Sequence, residues 1–212
     1  MKKHVFMICL IAIGALSADT APVMVSLVTP VQMPSRSYDV TGFRLSLLYG
    51  DCREFAGLDI GVIGHTCRDF TGLAVGGINI VDERLYGLQL GLINWNSNND
   101  ALPAHRSIGI QYGILNHVDT FFGLQDGFID ISGGEFSGLQ LGFVNFAHDL
   151  YGLQCGAYLL LGVNVAIGSV HGCQIGLVNY ADTIESGLQI GLVNIIANKG
   201  WLPVLPILNG HF

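Results

Sequence analysis

From Gly57 onward the chain alternates apolar residues with polar or very small ones, and the alternation restarts about every fifteen residues. The restarting unit reads Gly-Leu-Gln-x-Gly-Leu-x-Asn. It opens at Gly57, Gly72, Gly87, Gly109, Gly123, Gly138, Gly152, Gly172 and Gly187. Six of the eight steps between these glycines are fourteen or fifteen residues, and the steps after Gly87 and Gly152 carry insertions. Counted from the first Gly as offset 0, offset 1 is Leu in most units, and offset 2 is Gln in all but Asp59 and Ala74. Offset 4 is always Gly, and offset 7 is Asn in six units. A period of two predicts β-strand. Offsets 1, 3 and 5 then face one way and offsets 0, 2 and 4 the other. Consecutive apolar residues at offsets 5 and 6, as in Leu92-Ile93, Phe143-Val144 and Leu192-Val193, predict a corner. Two glycines per unit, Asn and many β-branched residues all oppose helix. Short polar connections close the units, as at Val81-Asp82-Glu83 and Ala181-Asp182-Thr183.

A short fixed period is the mark of an array whose units bury their faces on one another. The expected fold is all-β, a β-solenoid of tandem 15-residue repeats with one coil per repeat and strands stacked in parallel about 4.8 Å apart. Leu, Ile and Val are expected to fill its interior. Amide ladders are expected along offsets 2 and 7, formed by Gln89, Gln140, Gln174 and Gln189 and by Asn94, Asn145, Asn179 and Asn194. The alternative is an antiparallel transmembrane β-barrel of about 10–12 strands, with Leu-x-Ile-x-Leu toward lipid. The terminal Phe212 suits that alternative. Three points favour the solenoid. In a meander offset 7 would fall alternately at the two rims, so nothing would select the same Asn unit after unit. Barrel interiors are polar, whereas offsets 6 and 8 would place Val, Ile and aromatics there. Cys52 and Cys67 are one period apart; stacked coils bring them within disulfide range, at a Cα separation of about 5 Å, so Cys52–Cys67 is the disulfide candidate.

Residues 1–18 read as a secretory signal, with Lys2 and Lys3, an apolar stretch from Val5 to Ile13, and small residues at Ala15, Ser17 and Ala18. Residues 19–39 form an N-terminal segment or cap, with a strand over 24–30. Residues 40–200 form the array, with Gly42 opening a degenerate first unit. Residues 201–212, holding Pro203 and Pro206, form an end cap or edge strand.

Composition narrows function mainly by exclusion. Charged residues are 12% of 212, about half the usual soluble share. The formal charge is −7, and loss of residues 1–18 would leave 7 basic against 16 acidic residues. An acidic chain with no basic cluster argues against nucleic acid as a partner. No HExxH, GxSxG, P-loop or CxxC motif is present. No catalytic residues, no cofactor and no metal site are expected, and the chain reads as a non-enzyme. His65 and His117 share offset 8 but lie three units apart. Asp119, Asp126 and Asp130 form a weak calcium candidate, since Asp126 replaces an apolar residue at offset 3 and a carboxylate at an inward position is costly. Cys155 and Cys173 read as buried small hydrophobes. Phe55, Phe70, Tyr86, Trp95, Phe121, Phe122 and Tyr151 gather at unit edges as core stripes or corner plugs. Asn98 to Arg106 and Val163 to Val170 read as displayed loops.

The units Gly87–Asn94, Gly138–Asn145 and Gly187–Asn194, with Val25–Tyr49 and Leu202–Asn209, resemble a family of bacterial surface-repeat proteins built on GLQxGLxN units, of the leptospiral type. The resemblance covers nearly all of the chain after residue 18. It implies an exported protein at the cell surface or outer membrane of a Gram-negative-type bacterium. It implies no activity. The expected role is a structural or adhesin-like scaffold whose partner is a protein or glycan at the cell surface, with outer-membrane association possible. The alternative role is a barrel acting as a pore or membrane scaffold.

Overall fold

The computed structural model describes residues 19–97, 106–156, 161–198 and 201–212. The expected signal at 1–18 and the expected loop at 98–105 lie outside the described residues, as does Tyr158.

Every described regular element is a strand. Strands β3 (Asp39–Cys52), β4 (Phe55–Thr66) and β5 (Phe70–Val81) each make one coil. The next two coils are split at the corner into β6 (Leu85–Leu90) with β7 (Ile93–Asn96), and β8 (Ser107–Tyr112) with β9 (Leu115–Val118). β10 (Phe121–Gly156), β11 (Val163–Ile175) and β12 (Val178–Asn198) carry the winding onward. The pairing is parallel and in register with the repeat: Gly57↔Gly72, Leu73↔Leu88, Gln89↔Gln111, Asn94↔Asn116, Gln174↔Gln189. The chain is a β-solenoid of about 11 turns. The parallel ladder excludes the antiparallel barrel, in which each unit would run against the next.

Both ends are closed by strands that break the pattern. β1 (Thr20–Val28) lies parallel on β3, and β2 (Val31–Met33) folds back antiparallel on β1. At the other end β13 (Val204–His211) lies antiparallel on β12 and forms the edge strand. The segment Val163–Val170, expected as a loop, is instead strand β11, paired with β10 and β12 on either side. The residues added after Gly152 therefore fall within that unit, between its first strand, which ends at Gly156, and its second, which starts at Val163.

The interior is the reverse of the one expected. The Gln at offset 2 and the Asn at offset 7 point inward and are fully buried, whereas the Leu, Ile and Val of offsets 1, 3 and 5 line the outside. Alternation fixes which residues share a side but not which side is inside. Here the amides decide it, because they find partners from coil to coil and across the coil only between its two strands. Gln111 Nε2 donates to Gln89 Oε1 at 2.8 Å and also to the His117 carbonyl across the coil. Gln125, Gln140, Gln154, Gln174 and Gln189 repeat this, each reaching the Gln of the preceding coil at 2.7–2.9 Å. The Asn column runs the other way: Asn79 donates to Asn94, Asn94 to Asn116, Asn145 to Asn164, Asn164 to Asn179 and Asn179 to Asn194, all at 2.7–2.8 Å. Buried polar groups are tolerated only when paired, and these columns pair almost every amide atom.

A narrower apolar core occupies the start of most coils, two residues before the lead glycine, with Ser107 taking that place before Gly109. Phe55 stacks on Phe70 at 5.1 Å between ring centres, and Phe121 on Phe136 at 5.9 Å. Leu85, Leu150 and Val170 continue the row. Of the aromatics expected as plugs, Phe55, Phe70 and Phe121 are buried, but Trp95, Phe122 and Tyr151 face outward. The lead glycines explain the close stacking. Gly138 has φ of +138°, and a Cβ there would lie 2.0 Å from the Gly123 carbonyl oxygen. Only Gly permits both that φ and that approach.

Candidate functional site

Charge is segregated on the solenoid. Between Asp39 and Glu185 the described charged side chains lie in the turns that link one coil to the next, apart from Arg44, Asp59 and Asp130 inside and Asp126 on an outer face. Ion pairs such as Arg53–Asp39, Arg84–Asp69, Arg68–Glu54 and Arg106–Glu135 run along this edge. The opposite edge, at offsets 4 and 5, is apolar. Leu92, Ile114 and Phe128 there are 59%, 56% and 55% exposed, and Phe128 stacks on Phe143 at 5.1 Å. A groove of about 520 Å³ runs along it, lined by Leu92, Tyr112, Ile114, Phe128 and Phe143, with Asp126 the one charged residue on its wall. A second, of about 440 Å³, lies between Leu161, Leu177, Ile190, Leu192 and Ile207. Exposed aromatic stacks add to the faces, with Trp95 on His117 at 3.9 Å and Tyr151 on His171 at 4.7 Å. A monomer surrounded by water rarely exposes so continuous an apolar surface.

The interior columns have three irregular places. At the N-terminal end Arg44 and Asp59 take the Gln position. Arg44 donates from Nε to Asp59 Oδ1 at 2.8 Å and from Nη2 to Oδ2 at 2.7 Å, while Nη1 donates to the His65 carbonyl at 2.7 Å. Its guanidinium also lies 4.9 Å from the Phe55 ring centre. Next comes Ala74, which leaves the Gln89 amide nitrogen without a partner. The third is Asp130, which stands in the Asn column. Asn116 donates to its Oδ1 at 2.7 Å, but Asp130 Oδ2 and Asn145 Oδ1 both lack a partner. Burial pushes the Asp130 carboxyl up to about 7.

The three aspartates expected to hold calcium do not converge. Asp130 points into the array and Asp126 lies on the outer face, because offset 3 is outside; burial still raises the Asp126 carboxyl. Asp119 sits in a turn, where its carbonyl accepts from Ser132 and Gly134. Cys52 and Cys67 do lie on adjacent coils, and Cys67 N–H donates to the Cys52 carbonyl at 3.0 Å. Both are nevertheless free thiols. The register slips by one residue between Ser46 and Tyr49, so Cys52 pairs with Thr66 rather than Cys67. One residue of slip turns a side chain to the other face: Cys52 Sγ is buried against Arg44 Nη1 at 3.0 Å, and Cys67 Sγ points away from it. Cys155 and Cys173, expected inside, are half-buried free thiols on the outer side.

The same slip assembles a cluster that the repeat pattern hides. It pairs Asp51 with His65 and places both beside Cys67. Cys67 Sγ donates to Asp51 Oδ1 at 3.1 Å, and His65 Nδ1 lies 3.4 Å from that oxygen. Tyr49 Oη is 2.9 Å from His65 Nδ1, and Asp82 Oδ2 is 2.9 Å from His65 Nε2. The Asp51 hydrogen bond holds the His65 imidazole above its ordinary value, against the opposing effect of burial. Burial and then the Asp51 carboxylate push the Cys67 thiol up to about 12. His65 and Cys67 are two residues apart and so share a face, but their partner Asp51 is brought to them only by the register slip.

Comparison with family models, curated proteins and solved structures found no match for this chain.

Proposed function

We propose that this chain is an exported, non-catalytic scaffold of the bacterial cell envelope that works by contact, its contact surface being the apolar outer faces of the solenoid. One observation carries the reading: the amides are inside and the Leu, Ile and Val of offsets 1, 3 and 5 are outside, with most of the described charges gathered along one edge. That distribution is the one an interfacial protein uses, with an apolar side set into the headgroup–acyl boundary and a charged side in water. In a solenoid the backbone hydrogen bonds are satisfied from coil to coil, so an apolar face can enter that boundary without exposing unpaired amides. The occupant of the apolar edge is accordingly the outer membrane, and a surface protein or glycan would be reached from the charged edge and its turns. The signal-like residues 1–18 and the resemblance to surface-repeat proteins support export.

The test is expression in a Gram-negative host with mass measurement of the mature N-terminus, followed by flotation of the purified protein with phospholipid vesicles. The proposal expects cleavage within Ala15–Asp19 and co-flotation that persists at high salt, because the attraction is apolar. Protein that remains in the dense fraction, or floats only at low salt, overturns the membrane reading. An unprocessed cytoplasmic chain overturns export.

A further inference from the structure

We propose that Asp51, His65 and Cys67 form a zinc-class metal site on the first two coils, with Asp82 orienting the histidine. The three donor atoms, a carboxylate oxygen, an imidazole nitrogen and a thiol sulfur, all lie within 4.8 Å of one another. Tetrahedral zinc, with bonds of about 2.0–2.3 Å, holds its ligand atoms roughly 3.3–3.8 Å apart. The measured Asp51 Oδ1–Cys67 Sγ and Asp51 Oδ1–His65 Nδ1 separations of 3.1 and 3.4 Å are already close to that. The remaining contraction is within the reach of side-chain rotation.

The imidazole is arranged as a metal ligand's would be. Its Nδ1 faces the cluster, while Nε2 faces the Asp82 carboxylate at 2.9 Å. A carboxylate on the far nitrogen fixes the tautomer that leaves the near nitrogen's lone pair free, and it raises ligand basicity. The donor set is mixed, with one sulfur, one nitrogen and one oxygen. That combination suits a borderline cation such as Zn²⁺ and is poor for Ca²⁺ or Mg²⁺, which take oxygen ligands. Charge also balances: a thiolate and a carboxylate together neutralise a divalent ion. Binding would release the Cys67 proton to solvent. Three protein ligands leave a fourth position, and the Tyr49 hydroxyl, 2.9 Å from His65 Nδ1, stands beside it.

The frame is rigid. His65 and Cys67 are alternate residues at the end of one coil, so they share its outer face. Asp51 is their neighbour in the coil before, with its backbone held by Gln32 of β2, whose Nε2 donates to the Asp51 carbonyl at 2.7 Å. Among the described residues no other coil repeats the set: the residues equivalent to His65 and Cys67 are Ile80 and Asp82, then Trp95 and Ser97. The site is thus a property of the first two coils and of the register slip that aligns them.

The experiment is titration of the chelator-treated full chain with Co²⁺ and then Zn²⁺, read by absorption. The expected result is one equivalent of Co²⁺ giving thiolate-to-metal charge transfer, displaced by Zn²⁺. C67S abolishes the band, and C155S leaves it unchanged. D82N, which removes no ligand but replaces the carboxylate that orients His65, weakens affinity by about 10–100-fold. Absence of a thiolate band at stoichiometric Co²⁺ overturns the proposal, as does a band that survives C67S. Circular dichroism of C67S without metal should match the parent, and its folding keeps that variant informative.

Discussion

Asp130 Oδ2 and Asn145 Oδ1 border the same space beside Gly142 in the asparagine column. Both are within 2.8 Å of the same point beside Gly142, and neither has a hydrogen-bond partner. Everywhere else in that column, from Asn79 to Asn194, an amide nitrogen supplies the hydrogen between two such oxygens. A proton on Asp130 would supply it here, and the carboxyl held near 7 makes that proton available at mild acidity. The folded value lies above the unfolded value of about 3.9. Between those two pH values the folded chain holds a proton that the unfolded chain has lost. Stability from this group is therefore complete below about pH 4 and is lost as pH rises through about 7. D130N should remove that dependence and raise stability at pH 8 by about 1–3 kcal/mol. Urea unfolding of parent and variant at pH 5 and pH 8 checks it. Equal gains at both values would refute the assignment.

Arg44 and Asp59 replace the glutamine column with a bidentate ion pair. Removing one partner leaves a buried charge, so R44A or D59A should each cost about 3–5 kcal/mol. The double variant R44Q/D59Q restores the residue type found in the rest of the column, and should recover most of that loss. Thermal unfolding of the parent, R44Q, D59Q and R44Q/D59Q as a double-mutant cycle gives the coupling. Additive losses would argue against the pair.

Ala74 interrupts the same column below Gln89, whose amide nitrogen is left without a partner. A74Q places a carbonyl oxygen there and extends the ladder by one rung. A gain of about 1 kcal/mol is expected from the added hydrogen bond. A loss in denaturant unfolding would mean that the space beside Ala74 is too small for the longer side chain.

Gly138 tests the close stacking of coils. G138A forces a Cβ to 2.0 Å from the Gly123 oxygen at a φ of +138°. The chain must separate two coils or leave that φ, at a cost of about 3 kcal/mol or more. G134A, where the nearest atom is 3.1 Å away, should cost much less. Comparable melting temperatures for the two variants would contradict the account.

The apolar edge can be tested without touching the interior. Leu92, Ile114 and Phe128 point outward, so L92D/I114D/F128D should keep the far-UV spectrum and melting temperature near the parent's. It should lose vesicle flotation by tenfold or more. A triple variant that floats like the parent would locate the contact elsewhere.

The parallel coil, its boundaries near the lead glycines and the two amide ladders follow from the repeat, because stacking like on like is the only use for the same Gln and Asn in every unit. Which side is inside does not follow. Leu58, Ile60 and Val62 carry the stronger apolar signal, yet they are outside, and Asp59 with its partner Arg44 is inside. A hydrophobic scale reads water on one side of a strand and core on the other; it has no entry for an interior filled by amides that satisfy one another. The Asp51–His65–Cys67 cluster was hidden for a different reason. It depends on a single-residue slip between Ser46 and Tyr49, and period counting assumes that no slip occurs.

The opposite senses of the two amide columns have a consequence for length. In the glutamine column each nitrogen points back toward the preceding coil, and in the asparagine column each points on toward the next. Their side-chain dipoles are therefore antiparallel, and each added coil contributes a pair that largely cancels. A single column of like-oriented amides would accumulate a macrodipole with every turn, as an α-helix does. Two opposed columns let such an array grow by duplication without building a field along its axis.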